Sequence, residues 1–199
     1  MGKRSIVGYI GSFVCLVYFI VTIGFILTKE SIFLIGMEIV TILSTPIFLV
    51  IFIVIPIGNS TEKRIGKDLS LIFMSCCMIL TSVAHFVNLT VTNPLIKSGV
   101  VVPTYLQIGQ WPSVEMAVDY LAWGFFMGMA FLSSSLAVSK ENRRLKTLKN
   151  TLSISGLLCL AGILGVVLIN ENCWYIAPIG YGIGTLIVCI ELIMLERKS

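Results

Sequence analysis

Apolar residues in this chain do not alternate with polar ones; they run. Six continuous stretches, about 5–27, 32–57, 70–92, 116–138, 152–169 and 174–195, are interrupted only by isolated polar side chains. A run of roughly 18 or more apolar residues is long enough for a helix to cross the hydrocarbon core of a bilayer. Barrel strands are shorter and alternate, because one face meets lipid and the other the lumen. The pattern predicts an all-α membrane protein, a six-transmembrane-helix bundle. No connection is long enough to fold separately, so 1–199 read as a single integral membrane domain.

Composition agrees. The chain is 57% hydrophobic and 12% charged, with a mean hydropathy of +1.00, where a soluble domain carries about 25% charged residues.

Charge then orients the bundle. Lysine and arginine near span ends collect on the cytoplasmic side. Twelve of the fourteen fall on one side: Lys3 and Arg4; Lys63, Arg64 and Lys67; Lys140, Arg143, Arg144, Lys146 and Lys149; Arg197 and Lys198. Only Lys29 and Lys97 fall on the other. Both termini are therefore expected in the cytoplasm, with the lipid bilayer as the first partner. The expected location is a cell membrane of the bacterial or archaeal cytoplasmic kind, crossed several times. The Lys140–Lys149 run reads as an anchor to anionic head groups. No aromatic residues interleave with it, so no nucleic-acid partner is expected.

The opening Met1-Gly2-Lys3-Arg4 resembles the start of a signal peptide, but the apolar run is too long and no small-x-small cleavage site follows. It reads as a retained first span. Ile6 stands where myristoylation wants Ser or Thr. Five of the six cysteines lie inside spans, and Cys173 at the outer edge has no obvious partner, so they read as small buried hydrophobes.

The outer segment 93–115 is long and apolar, and reads as a lid over a site or as packing on helix ends. It should end with Pro112 in the first turn of span 4. Pro46 and Pro178 should kink or interrupt their helices. Gly124-x-x-x-Gly128 and Gly180-x-x-x-Gly184 mark close helix contacts. Packing inside the bundle is the preferred reading; a homodimer through the Gly124/Gly128 or Gly180/Gly184 faces is the alternative. Trp111, Trp174, Tyr105 and Tyr175 map to the outer interface, as an aromatic belt would.

Ionisable residues inside a span are costly and need a partner or a purpose. Here they are Glu38, His85, Asp119 and Glu191, with Glu115 one turn above Asp119. Glu191 lies beside Arg197 and Lys198 and can snorkel to the cytoplasmic surface. The other three share a depth. Glu38 sits about 9 Å and His85 about 10 Å below the outer end of its span, at 1.5 Å per residue. Asp119 lies within about two turns of the start of span 4.

His85 belongs to a polar stripe with Thr81, Asn88 and Thr92 at helical spacing, and Glu115, Asp119 and Trp123 form a second. The candidate ligand-binding residues are thus Glu38, His85, Asn88, Glu115, Asp119 and Trp123. His85 is expected to pair with Glu38 or Asp119 across the bundle, and Trp123 to wall a pocket.

No cofactor or metal motif is present, and neither is any nucleophile elbow, P-loop or dinucleotide fingerprint. The Asn88 sequon lies in a span, out of reach of glycosylation. The functional expectation is binding or transport of a small polar solute, ion or lipid head group through an outward-facing polar pocket between spans 2, 3 and 4. One alternative is a membrane-embedded lipid-modifying enzyme, with His85 as general base oriented by Asp119 or Glu38. Another is a non-catalytic accessory or sensor subunit in which these residues only join helices.

Overall fold

The computed structural model describes residues 2–28, 30–108 and 111–196. Met1, Lys29, Arg197 and Lys198, all used above, lie outside them. Among the described residues there are six helices long and apolar enough to cross a membrane, and no strand. They are α1 (Lys3–Thr28), α2 (Ser31–Val54), α3 (Thr61–Lys97), α4 (Val114–Ala137), α5 (Arg143–Leu168) and α6 (Glu171–Glu196).

Each helix packs on its neighbours in the chain, and α6 closes the ring against α1. α4 is the innermost: 50% of its most apolar stretch is buried inside the protein, against 11% for α1. Its Phe131 meets Phe52 of α2 and its Trp123 meets Phe48 of α2 and Tyr181 of α6. Large apolar side chains face outward all round, among them Phe13, Ile20, Ile72, Leu136 and Leu164. Such a coat suits lipid, since water would not tolerate apolar patches of this extent.

The helices overrun the hydropathy spans on the side of the termini. α3 starts at Thr61 and α5 at Arg143, because side chains rather than apolar runs begin them. Ser60 accepts from the Lys63 amide and Asn142 from the Leu145 amide, so each caps an otherwise unpaired N–H of the first turn. Charged residues continue a helix beyond the hydrocarbon that hydropathy measures. At the far end, Ser113 caps α4 through the Met116 amide at 3.0 Å. Pro112 therefore precedes the cap and does not occupy the first turn.

The prolines do not stop their helices. Pro46 leaves the Ile42 carbonyl without its N–H, and Thr45 Oγ1 donates to that carbonyl at 3.0 Å instead. Pro178 frees the Trp174 carbonyl, which accepts from Tyr120 Oη at 2.8 Å. Asn93-Pro94, read above as the start of a loop, lies within α3. The five residues before it, Asn88–Thr92, form a π turn, whose wider ladder absorbs the missing donor.

Three basic residues on the terminal side reach carbonyls at helix ends. Lys67 Nζ donates to the Phe52, Ile53 and Ile55 carbonyls, Arg4 Nε to the Val54 carbonyl and Lys149 Nζ to the Ser135 carbonyl. Cations there complement the negative ends of α2 and α4. Glu196 in turn accepts from the Arg4 and Ser5 amides, both at 3.0 Å, at the positive end of α1.

All four motif glycines are taken up inside the chain. A Cβ on Gly124 would meet Ile163, one on Gly128 would meet Cys159, and ones on Gly180 and Gly184 would meet Ser155. These contacts are the close helix approaches that the packing reading expects.

Candidate functional site

The three ionisable groups placed at one depth by residue counting are in contact. His85 Nδ1 lies 2.5 Å from Glu38 Oε2, and His85 Nε2 lies 3.2 Å from Asp119 Oδ1. The sequence left a choice between the two carboxylates; the fold brings both to one imidazole. Glu38 is entirely buried, and the side chains of His85 and Asp119 are 5% and 14% exposed. The Nδ1 contact to Glu38 is a hydrogen bond, whereas Nε2 approaches Asp119 at ion-pair distance without hydrogen-bond geometry.

Local helix geometry produces this. Glu38 sits about 10 Å into α2 from Ser31, and Asp119 about 8 Å into α4 from Val114. α3 extends past His85 by about 18 Å, to Lys97, so it overshoots both partners. The stripe on α3 faces inward as its spacing predicts: Thr81, His85, Asn88 and Thr92 are all buried. Thr92 Oγ1 donates to Glu115 Oε1 at 2.8 Å. Glu38 Oε1, Thr81 Oγ1, Asn88 Nδ2 and Glu115 Oε2 are buried without a hydrogen-bond partner among the described residues. Glu115 also faces the backbone of Ile108, which ties the site to the 98–113 connection. Val101 and Tyr105 of that connection are exposed, and Gly109 and Gln110 lie outside the described residues.

Trp123 joins the cluster to a cavity. Its Nε1–H donates to Asp119 Oδ1 at 2.9 Å, and its ring walls a space with about 20 Å³ of free volume. Cys15, Tyr18 and Phe19 of α1, Ser44 and Phe48 of α2, and Tyr181 and Gly182 of α6 complete the wall. Tyr18 is within electrostatic range of Asp119 and Glu38. This cavity is walled largely by aromatic rings and lies between α1, α2, α4 and α6.

Three π turns surround this region: Asn88–Thr92 beside His85, Leu121–Phe126 around Trp123, and Ile179–Ile183 around Tyr181. Such turns re-aim side chains at a cost in backbone bonding and concentrate at functional sites.

The sequence reading missed Tyr18, Phe48 and Tyr181. A mid-span tyrosine was the available signal, since tyrosine in a membrane helix normally sits at the interface. Tyr181 was hidden by its flanking glycines, which packing explains.

Glu191 bonds Thr151, whose Oγ1 donates to Glu191 Oε1 at 2.8 Å; its expected neighbours Arg197 and Lys198 lie outside the described residues. Trp111 packs edge-on against Tyr120 at 5.7 Å between ring centres, whereas Tyr105, Trp174 and Tyr175 are exposed at that end. Among the described residues, no group of three or more His, Cys, Asp or Glu side chains is placed to hold a metal ion. Comparison with models of protein families, with curated proteins and with solved structures returned no match to this chain.

Proposed function

We propose that this is a multi-pass membrane protein that binds a small cation at Glu38, His85 and Asp119 and carries it across the bilayer. The observation behind the reading is the ratio of groups: two carboxylates converge on one imidazole. Two carboxylates and an imidazolium sum to one negative charge. An uncompensated charge in a low-dielectric interior is costly, so the cluster favours taking up a cation or a proton. The unpartnered atoms of Asn88 and Glu115 extend the polar surface beyond the three charged groups.

In this reading both termini are cytoplasmic and the cluster opens to the outer side. Orientation is checked by thiol labelling in a Cys173→Ser background. Val101→Cys, 93% exposed in the native chain, should react with a membrane-impermeant maleimide in intact cells. Lys140→Cys should react only after permeabilisation. The reverse pattern would turn the site to the cytoplasm.

Function is checked in proteoliposomes carrying a pH-sensitive dye. An imposed cation gradient should drive proton or cation movement, with Glu38→Gln and Asp119→Asn each reducing it about ten-fold, the equivalent of one lost charge contact of ~1.4 kcal/mol. Movement unchanged in both variants would refute the reading.

A further inference from the structure

We infer that the aromatic cavity beneath Asp119 seats the ammonium head of a small organic amine. The inference rests on the cation-binding reading above and names the class of cation. Five aromatic rings from four helices, those of Tyr18, Phe19, Phe48, Trp123 and Tyr181, line this one space. An ordinary apolar core of a membrane bundle is filled by aliphatic side chains and small residues. Aromatic rings present electron-rich faces, and their specific use is to hold ammonium groups stripped of water.

Charge and shape point the same way. Trp123 donates its indole N–H to Asp119 Oδ1 at 2.9 Å. A carboxylate on the indole N–H pushes electron density into the ring, which strengthens its attraction for a cation. Trp123 stacks on Tyr181 at 4.9 Å and meets Phe48 edge-on at 6.1 Å between ring centres, so the walls are held by one another. The exposed surface of the lining is almost wholly apolar.

The free volume of about 20 Å³ admits one group the size of a water, which an ammonium nitrogen is. Phe19, half-buried, packs across from Gly182, where an added Cβ would sit 3.5 Å from the ring. Among the described residues no group of three or more His, Cys, Asp or Glu side chains is placed to hold a metal ion, and a ring-walled cavity does not supply the oxygen ligands that replace the hydration shell of a bare hard cation.

The probe is methylammonium chloride against purified protein in detergent, with sodium and potassium chloride at equal ionic strength. Binding is read as the rise in melting temperature over each variant's own salt-matched baseline, which keeps destabilised variants usable. A second readout is emission from Trp123 alone, in a Trp111→Phe, Trp174→Phe background. Methylammonium should raise the melting temperature and shift Trp123 emission, and the alkali ions should do neither. Phe48→Leu and Tyr181→Leu should each weaken the apparent affinity about ten-fold. Phe13→Leu, at an exposed position of α1, should retain it. If a cation binds in a manner lost in Asp119→Asn but equal in Phe48→Leu and Tyr181→Leu, or if sodium serves as well as methylammonium, the amine site is overturned and the cluster reading survives. If no cation acts on the native chain, both fall.

Discussion

Replacing His85 with alanine is expected to lower the melting temperature of the purified protein by roughly 10 °C. The change removes the imidazole that lies 2.5 Å from Glu38 and 3.2 Å from Asp119. Breaking a buried ion pair from one side costs about 3–5 kcal/mol, because the partner charge stays behind without compensation. For a chain of this size each kcal/mol is worth about 2–4 °C. Glu38 is the more severe case, since it is entirely buried and its second oxygen already lacks a hydrogen-bond partner.

The triple variant His85→Ala, Glu38→Gln, Asp119→Asn should recover most of the loss, because neutral amides tolerate the site better than stranded carboxylates. It should not recover cation-driven flux. Stability restored with function absent separates a working site from helix glue. A melting temperature for His85→Ala within about 2 °C of the native chain would mean the carboxylates carry no charge there. The case for a cation site would go with it.

Gly162→Val is expected to be nearly as damaging, at a position with no ionisable group. A Cβ there would stand 2.6 Å from the Ala177 amide nitrogen, 2.8 Å from Ala177 Cβ and 2.7 Å from Tyr120 Oη. Two of those three atoms belong to α6 where Pro178 has already loosened the ladder, and the third is the hydroxyl that holds the freed Trp174 carbonyl. Overpacking against backbone costs about 1–3 kcal/mol, at times more, and loss of the Tyr120 bond adds about 1 kcal/mol. Glycine replacement in a helix would otherwise stabilise through its lower unfolded-state entropy, so even the sign of the effect is informative. Tyr120→Phe, read by the same melting experiment, should show the smaller hydrogen-bond share alone. A Gly162→Val protein that melts with the native chain would mean that α5 and α6 do not approach as described.

The depth argument shows how much of the site can be reached from residue order. A helix advances 1.5 Å per residue whatever its neighbours, so Glu38, His85 and Asp119 could be assigned one level once alternate spans were taken to run in opposite directions. Helical spacing likewise turned Thr81, Asn88 and Thr92 inward with His85, because a polar stripe on an apolar helix must avoid lipid. Rotation about each helix axis is another matter. Whether His85 meets Glu38, Asp119 or both depends on which way α2 and α4 are turned, and that is set by close packing such as Phe52 on Phe131. The helix starts at Thr61 and Arg143 escaped hydropathy for a different reason: capping by Ser60 and Asn142 is a local polar signal, and charged residues follow it.

By itself the order of residues determined the all-helical class, the six apolar spans, the single polar level within them and the inward faces of two helices. Those follow from period and length, which act along one chain direction. Tertiary structure alone decided that one imidazole bridges two carboxylates, that hydroxyls of Thr45 and Tyr120 serve the carbonyls left by Pro46 and Pro178, and that rings from four helices close one cavity beside Trp123. Each of these joins side chains whose distance depends on how helices pack and turn against one another, and no periodicity within a single helix encodes that.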